Sequence, residues 1–393
     1  MPTFPEGFRW GVATAAHQIE GGCWNNDWWQ WEHTPGSGVR EPSGDACDSW
    51  NRWRDDVALV ADLGLNTYRF SIEWSRIEPE AGAWSTAALD HYRQLGAALL
   101  ERGVQPMITF HHFTTPRWVA ADGGWAEDRT ADRFASFCER AAAALAPVMG
   151  AACTLNEPNI VALSGYLVGA FPPGERSVER RRQANRVFLR AHRLGVEAIR
   201  TGAPGVPVGL TLAMTDYQAR PGGEAYRDRV RRSMQDIFLE VTDGDDFLGV
   251  QTYSRAQFGP GGAVRPEPGS RIVETMGYER WPDALEATLR RAWDLTGGAV
   301  PLIVTECGIA TEDDRDRIRY VHETLEGVLR CIADGVTVGG YLYWSLLDNF
   351  EWALGYRPHF GLVAVDRSSF ARSPKPSAHW LGRVAKANQL QDP

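Results

Sequence analysis

The chain has 393 residues, of which 44% are hydrophobic and 23% charged, a balance typical of a globular protein with a large core. Disorder over most of the chain is thereby excluded. The 50 acidic residues outnumber the 41 basic ones, which gives a formal net charge of −9. A nucleic-acid-binding protein needs a basic surface to neutralise phosphates, so nucleic acid is not expected as a partner.

The cysteines give no sign of a disulfide framework or a metal site, because the six are scattered without a Cys-x-x-Cys pair. The first residues lack the basic and apolar regions of a secretory signal. The most apolar stretch, Ala141 to Leu155, is short and is interrupted by Pro147 and Gly150. We therefore expect a cytoplasmic protein that binds no metal, no other cofactor and no membrane.

The chain is rich in tryptophan, with 16 residues. An indole ring has apolar faces and an N–H edge, which suits a ligand that needs both, and sugars are such ligands. A core that is merely rich in tryptophan stays open as the alternative.

Short β-branched or aromatic runs alternate with longer amphipathic stretches, a pattern typical of βα units around a parallel sheet. The eight predicted strands are, in chain order, Phe8–Ala13, Asn66–Ile72, Gln105–His111, Ala151–Asn156, Val206–Leu212, Asp246–Tyr253, Pro301–Glu306 and Val338–Ser345. Apolar residues spaced three and four apart predict helices with one buried face. These helices are Trp53–Leu63, Ala87–Arg102, Asp132–Leu145, Ala184–Arg200, Glu224–Leu239, Pro282–Leu295, Arg317–Ala333 and Leu381–Ala387.

Eight strands in regular alternation favour a (β/α)₈ barrel over an open doubly wound sheet. No Gly-rich phosphate-binding fingerprint follows the first strand, which argues against a dinucleotide-binding fold. No internal repeat, long linker or block of charge divides the chain. We predict one α/β domain, a single (β/α)₈ barrel, over residues 1–393.

In such a barrel the functional residues stand where the strands end, because that face is built from variable loops. Two carboxylates follow apolar strands, Glu157 after the fourth and Glu306 at the end of the seventh. Such a pair can cleave a glycosidic bond, since one acid protonates the leaving oxygen and the other carboxylate stabilises or attacks the sugar carbon. Two nearby carboxyl groups also split their pKa values, so that one stays protonated near neutral pH.

Other polar and aromatic side chains are predicted to collect at the same face. Adjacent residues of a strand point to opposite sides, so we expect His111 to face the site and His112 to pack elsewhere. No cluster has metal-ligand spacing, and no Gly-x-Ser-x-Gly nucleophile elbow is present. The candidates are Gln18, Arg69, Glu73, His111, Asn156, Gln251, Tyr253, Trp344, Glu351 and Trp352.

Several motifs follow one another at or near these strand ends. They are Phe4 to Gly21, Tyr68 to Ile77, Thr154-Leu-Asn-Glu-Pro158, Thr305-Glu306, Tyr343 to Trp352 and Pro374 to Ala378. In this order they resemble the glycoside hydrolase family 1 β-glucosidases from end to end. A lone Asn-Glu-Pro would be weak support, but several motifs in the family's order are specific.

The resemblance implies a retaining double displacement on a β-glycoside. It identifies Glu157 as the general acid/base and Glu306 as the nucleophile. The other matching positions imply that Asn156 bonds the sugar 2-hydroxyl, that Tyr253 bonds the nucleophile, and that Arg69 pairs with the carboxylates. Sugar hydroxyls would be held by Gln18, His111 and Glu351, while Trp344 forms the platform under the ring and Trp352 borders it.

Glu351 and the scarcity of lysine bear on the substrate. Members acting on 6-phosphorylated sugars are expected to replace this acid and to carry a nearby lysine, whereas here no lysine precedes Lys375. Myrosinase-like members lack the acid that Glu157 supplies. The resemblance therefore implies a small-molecule partner, an unphosphorylated β-D-glycoside and most simply a β-D-glucoside.

The chain departs from the family's pattern in three residues and one segment. Gln251 stands in place of an asparagine in a supporting position, and Cys307 replaces the asparagine after the nucleophile. We interpret His112 as the replacement for the tryptophan that follows the histidine of the third strand. The segment Ala213–Asp245 is cut short, which implies a more open aglycone side.

Two other functions stay open. A transglycosylating or natural-product-specific β-glycosidase would use the same carboxylates. A non-catalytic sugar-binding barrel would be expected to lack one of the two, and both are present. The oligomeric state is not determined by the sequence.

Overall fold

Eight parallel strands close into a barrel in the computed structural model, which describes residues 3–393. Each strand pairs with its neighbours in sequence, and the first closes the barrel against the last. The predicted (β/α)₈ fold is confirmed, and every predicted strand lies within two residues of its observed ends. In chain order the strands β1 to β8 are Arg9–Ala13, Thr67–Ser71, Gln105–His112, Ala151–Asn156, Val208–Ala213, Phe247–Gln251, Leu302–Cys307 and Val338–Trp344.

Helices lie between successive strands and after the last one. On α1, Trp53, Val57, Val60 and Leu63 are buried at spacings of three and four, so that one face packs on the barrel. The principal helices α1 to α8 are Ser49–Leu63, Thr86–Glu101, Arg129–Leu145, Val178–Gly202, Glu224–Arg231, Asp283–Leu295, Asp314–Ala333 and Pro376–Ala387.

Shorter elements occupy the connections between barrel strands and helices. After β5 and β6, the strand Asp216–Ala219 pairs with Arg255–Gly259, which in turn pairs with Gly262–Val264. Two further hairpins are Ile272–Val273 with Tyr278–Glu279 and Val363–Val365 with Arg372–Pro374. The short helical segments are Ala16–Ile19, Asp27–Glu32, Trp74–Ile77, Arg117–Ala121, Gly124–Ala126, Ala146–Val148, Pro158–Leu163, Ser164–Val168, Arg232–Asp236, Ile237–Leu239 and Trp352–Leu354.

The barrel is filled with side chains and is not a pore. Met107, Cys153, Phe247, Ile303 and Leu342, from five strands, form a buried cluster of their own. A larger cluster between barrel and helices includes residues from Phe4 to Leu390. A ligand can therefore reach the strand residues only from an end of the barrel.

The two ends of the barrel differ in what they expose. Helices run opposite to the strands, so the last turn of a helix lies at the end where the strands begin. Lys386 stands in the last turn of α8, exposed, with its ammonium 3.4 Å from the carbonyl oxygen of Asp62 near the end of α1. No helix in residues 3–393 has the length and hydropathy needed to cross a bilayer.

Candidate active site

A cavity of about 400 Å³ opens where the barrel strands end. Both predicted carboxylates, Glu157 and Glu306, line it. The polar lining also includes His112, Gln251, Tyr253, Arg255 and Glu351. The walls are largely apolar or aromatic and include Phe113, Ile160, Phe171, Met214, Met276, Tyr278, Trp344, Trp352 and Phe360.

Glu306, the next-to-last residue of β7, is buried, and both of its carboxylate oxygens are hydrogen-bonded. Arg69 of β2 donates from Nη1 to Oε1 at 2.6 Å, and the Tyr253 hydroxyl donates to Oε2 at 2.7 Å. Burial raises the pKa of Glu306 above its ordinary value, and the charge of Arg69 and these hydrogen bonds offset part of that rise. Two donors on a carboxylate stabilise its ionised form, so Glu306 is arranged to carry the negative charge.

Glu157 lies just after β4 in the left-handed backbone region, with φ 44° and ψ 53°. Its backbone N–H donates to the carbonyl of Thr211 on β5 at 2.9 Å, which ties this turn to the next strand. No other side chain in residues 3–393 bonds its carboxyl group, which points into the cavity. Burial first, and then the charge of Glu306, raise the pKa of Glu157 well above its ordinary value, against the opposing effect of Arg69.

The two carboxyl groups therefore differ in protonation. Glu306 has a guanidinium and a hydroxyl as partners, whereas Glu157 has neither and faces a like charge. When two buried acids interact, the proton stays on the one with fewer stabilising partners. The site can thus supply a carboxylate and a carboxylic acid at the same pH.

Asn156, next to Glu157, is held by hydrogen bonds from three strands. Its Oδ1 accepts from Nη2 of Arg69 at 2.5 Å and from Nε2 of Gln251 at 2.9 Å. Its Nδ2 lies 3.1 Å from Nε2 of His112. The amide orientation is set by these contacts, with Nδ2 on the side of the His112 ring.

Gln18 and Glu351 form a second polar group beside the carboxylates. Nε2 of Gln18 donates to the carbonyl of Phe350 at 2.7 Å and to Oε2 of Glu351 at 3.4 Å. Burial and the charge of Glu306 raise the pKa of Glu351 to about 8, against the effect of hydrogen bonds from Gln18 and Trp344. The buried Oε1 of Gln18 has no hydrogen-bond partner among the described residues.

Trp344 and Trp352 border the cavity as the sequence predicts. The His112 ring stacks on Trp344 with centroids 5.7 Å apart, and on Trp352 at 6.2 Å. Trp352 also packs on Trp28, which does not line the cavity, with ring centroids 4.6 Å apart, and this contact holds the Trp352 ring in place. These rings form a flat, partly apolar wall next to the polar groups, an arrangement suited to a sugar ring.

The expectation that His111 faces the site and His112 packs elsewhere is wrong. The His111 ring packs on Trp125 at 4.8 Å and lies near Phe188 at 6.2 Å, outside the barrel, and neither ring nitrogen has a partner within residues 3–393. His112 lines the cavity instead. The residue after the cavity-facing histidine is Phe113, so the departure from the family's tryptophan falls on Phe113.

A register shift between β4 and β5 explains why His112, and not His111, faces the cavity. Between Cys153, which faces the barrel interior, and Asn156, which faces the site, β4 advances three residues. The neighbouring strand β5 advances only two, from Gly209 to Thr211. Because β3 stays in register with β4, His112 stands opposite Asn156 and shares its direction.

Apart from Trp344 and Trp352, the apolar residues that line the cavity were not predicted from the sequence. Phe113 follows directly on His112, and Ile160 lies in the helix after Glu157, so both could have been found once the strand ends were known. Phe171 and Met276 come from loops and Tyr278 from a two-residue strand, and none of these segments carries a periodic signal. Glu73, another strand-end candidate, bonds Ser75 and Thr114 in a buried network and does not line the cavity.

Within residues 3–393, no group of three His, Cys, Asp or Glu side chains is arranged to hold a metal ion. The carboxyl groups of Glu157, Glu306 and Glu351 all belong to residues that line the cavity. A closed (β/α)₈ barrel with two carboxyl groups of different proton affinity at its strand ends is an architecture found in O-glycosyl hydrolases.

Comparison with known proteins gives the family. Residues 1–244 and 269–390 match the sequence model of glycosyl hydrolase family 1. The chain belongs to glycosyl hydrolase family 1, whose members are retaining β-glycosidases. The unmatched residues 245–268 include the strands Arg255–Gly259 and Gly262–Val264 of the small sheet after β6.

Relatives match along nearly the whole chain. Beta-glucosidase A of Thermotoga maritima is 33% identical, with 99% of each chain covered. A bifunctional β-D-glucosidase/β-D-fucosidase of Bifidobacterium breve is 35% identical, with 97% of each covered. The crystal structure of β-glycosidase BGL167 is 45% identical and superimposes with a TM-score of 0.92 over 99% of both chains.

Proposed function

We propose that the enzyme hydrolyses unphosphorylated β-D-glycosides, with β-D-glucosides as the principal substrates, by double displacement at Glu306 and Glu157. The observation that carries the proposal is the difference between the two acids. Glu306 is bonded by Arg69 and Tyr253, and Glu157 is left without a donor beside a like charge. The names of the relatives, β-glucosidases among them, agree with this choice of sugar.

In the first step an oxygen of Glu306 attacks the anomeric carbon and forms an ester with the sugar. The bond from that carbon to the aglycone oxygen breaks, and its electron pair stays with the oxygen. Glu157 gives its proton to this oxygen, so that the aglycone leaves as a neutral alcohol. Glu157 is then ionised.

In the second step Glu157 acts as a base. It removes a proton from a water molecule, whose oxygen attacks the anomeric carbon and displaces the carboxylate of Glu306. The sugar leaves with its β configuration retained, because the carbon has been inverted twice. Loss of the negative charge on Glu306 in the ester lowers the pKa of Glu157, which suits its change from acid to base.

The other residues have binding or positioning roles in this scheme. Asn156 donates to the sugar 2-hydroxyl, and Gln18 and Glu351 hold hydroxyls at the other side of the ring. His112, rather than His111, is the histidine that bonds the sugar. Trp344 and Trp352 form the wall along the ring, while Arg69, Gln251 and Tyr253 orient Asn156 and Glu306.

An unphosphorylated sugar is favoured by the charges around the cavity. Arg255 is the one cation among the described lining residues, and it is paired with Glu279 at 2.9 Å. Lys375 bonds Asp348, with its ammonium 2.7 Å from a carboxylate oxygen. A sugar phosphate would therefore meet Glu351 and Glu306 without a free cation to balance its charge.

The test is hydrolysis of p-nitrophenyl β-D-glucoside and its galacto and fuco analogues by the wild type and by Glu306→Gly. We expect the wild type to prefer the glucoside, and the variant to be inactive until azide is added. The rescued product should be the α-glycosyl azide, since a single displacement inverts the anomeric carbon. Glu101→Gly, at an exposed carboxylate that ends α2, is the matched control and should remain active.

Two outcomes would contradict the proposal. A folded wild type that hydrolyses no aryl glycoside would favour a sugar-binding barrel. A product mixture dominated by glycosides of added alcohols, at alcohol concentrations far below that of water, would favour a transglycosylase with the same carboxylates.

We further propose that residues 1–393 form one catalytic domain and that the enzyme acts in the cytoplasm. The core cluster that takes in residues from Phe4 to Leu390 supports a single domain. All six cysteines are buried and unpaired, which suits a reducing compartment.

A further inference from the structure

A second cavity, of about 440 Å³, lies beside the reaction cavity and shares no lining residue with it. Its walls come from the helix Asp27–Glu32, the loop after β3, the helical segment after Glu157 and the loop Pro172–Glu175. Nothing in the proposed reaction uses it.

Three aromatic rings line this second cavity, and hydrogen bonds or close packing fix each of them. Nε1 of Trp125 donates to Oγ1 of Thr115 at 3.0 Å, and the Tyr166 hydroxyl accepts from the backbone N–H of Trp125 at 2.9 Å. The edge of Trp31 lies on Gly174, where an added Cβ would stand 2.6 Å from the indole. The walls are thus preformed for a flat, partly apolar ligand.

The polar groups of the second cavity offer an acceptor and a donor without partners. Oδ1 of Asp27 accepts from the backbone N–H groups of Trp28 and Thr115, each at 2.8 Å. Among residues 3–393 no other residue donates to its Oδ2 and no cation pairs with Asp27, and burial raises the pKa of Asp27 to about 7. Nε1 of Trp31 is buried and has no hydrogen-bond partner in the described part of the chain, whereas Glu175 is paired with Arg180 at 3.0 Å.

These groups select among classes of ligand. A phosphate or another anion would meet Asp27 and Glu175 with no free cation. A purely apolar chain would leave Oδ2 of Asp27 and Nε1 of Trp31 without hydrogen-bond partners. A pyranose has apolar faces for Trp31 and Tyr166 and a rim of hydroxyls that can both donate and accept.

We propose that this second cavity is a binding site for a neutral monosaccharide, such as glucose. The binding does not depend on the hydrolytic reaction, although product released next to it would be a direct source of ligand.

The position of the site gives it a connection with the reaction cavity. Phe113, Ile160 and Phe171 line the first cavity, and in the same segments Thr115, Val161 and Pro172 line the second. Trp28, which follows Asp27, packs on Phe171 at 4.8 Å and on Trp352 at 4.6 Å. A sugar in the second cavity therefore touches the segments that form the first cavity's wall.

The experiment measures a separate fluorine NMR resonance for individual tryptophans of the full chain. Protein labelled with 5-fluorotryptophan is titrated with D-glucose, and the fluorine resonance of Trp31 is assigned from its loss in Trp31→Phe. We expect a saturable shift of this resonance. The resonance of Trp24, which is 61% exposed and lines neither of these two cavities, is assigned from Trp24→Phe and should not move.

Two variants show whether the shift arises in the second cavity. Ala121 is an exposed lining residue, so Ala121→Leu narrows the cavity without removing a core contact and should abolish the shift of Trp31. Asp27→Asn keeps Oδ1 for the two backbone donors and should weaken glucose binding about tenfold. Hydrolysis of p-nitrophenyl β-D-glucoside, measured on the same variants, reports separately on the proposed function.

The inference is overturned if saturating glucose leaves the Trp31 resonance in place. It is also overturned if the shift is the same in Ala121→Leu and Asp27→Asn as in the wild type, because the effect would then come from the reaction cavity. Tetramethylammonium is the second probe. A shift with this cation and none with glucose would make the cavity a cation site.

Discussion

Replacing Tyr253 by phenylalanine removes one hydrogen bond from the nucleophile carboxylate and keeps the ring in place. The hydroxyl donates to Oε2 of Glu306 at 2.7 Å, and Arg69 remains on Oε1 at 2.6 Å. Glu306 is 3% exposed, so water can replace the lost donor only in part. Tyr253→Phe therefore tests how far this hydroxyl holds Glu306 ionised.

The expected loss of activity in Tyr253→Phe follows from the type of hydrogen bond that is removed. A hydrogen bond to a charged group contributes about 1.5–3 kcal/mol, and the short distance and burial put this one within that range. A loss of that size lowers kcat/KM about 10- to 100-fold, at roughly 1.4 kcal/mol per factor of ten. The same loss raises the pKa of Glu306, because a donor that favours the ionised carboxylate is removed.

The sign of the pH effect is determined by the direction of that change. The attack requires ionised Glu306, and the variant holds the proton on Glu306 up to a higher pH. The acidic limb of the kcat/KM profile should therefore move to higher pH. The profile is measured with p-nitrophenyl β-D-glucoside for the wild type and the variant.

Tyr278→Phe is the matched control, because Tyr278 lines the same cavity and its hydroxyl has no partner among the described residues. We expect its acidic limb to coincide with that of the wild type. An unmoved limb in Tyr253→Phe, or equal shifts in both variants, would refute the reasoning about the hydroxyl of Tyr253.

Four further changes have defined outcomes. Glu157→Gln should lower kcat/KM for an alkyl β-glucoside about 10²- to 10⁴-fold and affect a dinitrophenyl glucoside far less, since that leaving group needs no proton. His112→Phe keeps the stacking on Trp344 but loses the ring nitrogen, and kcat/KM should fall about tenfold. His111→Phe removes a buried imidazole without partners, so the free energy of unfolding should rise by about 1 kcal/mol with unchanged kcat/KM. Gly308→Ala would put a Cβ 2.0 Å from the backbone oxygen of Trp344, and the free energy of unfolding should fall by about 2 kcal/mol.

Denaturant unfolding and steady-state kinetics on the same preparations check these four outcomes. Equal losses on alkyl and dinitrophenyl glucosides would argue against Glu157 as the proton donor. If His111→Phe reduced kcat/KM as much as His112→Phe, the assignment of the two histidines would be wrong. A Gly308→Ala variant as stable as the wild type would show that the backbone can move away from the added Cβ.

The pH dependence of the free energy of unfolding tests whether the pKa of Glu157 is raised in the folded state. Its folded pKa is raised above the unfolded value, so the folded state binds the proton more tightly. The stability gained from this group is present at low pH and is lost as pH rises from the unfolded pKa through the folded one. Glu157→Gln removes this dependence, so its unfolding free energy should exceed that of the wild type increasingly as pH rises.

The sequence was sufficient to predict the barrel because every strand and helix has its own periodic signal. The apolar face of α1 and the eight strands illustrate this. The ends of the strands then located Glu157 and Glu306, since in this fold position along a strand determines which end a residue occupies. The same knowledge led to Asn156, Tyr253 and Trp344 in the cavity wall or beside it.

Two kinds of residue could not be placed correctly from the sequence. His111 and His112 were exchanged because a two-residue period is valid only while a strand is regular, and β4 advances an extra residue between Cys153 and Asn156. Phe171 reaches the cavity from a loop, whose course depends on tertiary contacts such as those with Trp28. Local sequence carries little information on either.

The two lysines have a practical consequence for attaching the enzyme to a solid support. The ammonium of Lys375 is occupied by Asp348, so amine-directed coupling at side chains should occur mainly through Lys386. Lys386 lies near Asp62, at the end of the barrel where the strands begin. Molecules immobilised through this residue would share one orientation, with the reaction cavity directed away from the support and accessible to flowing substrate.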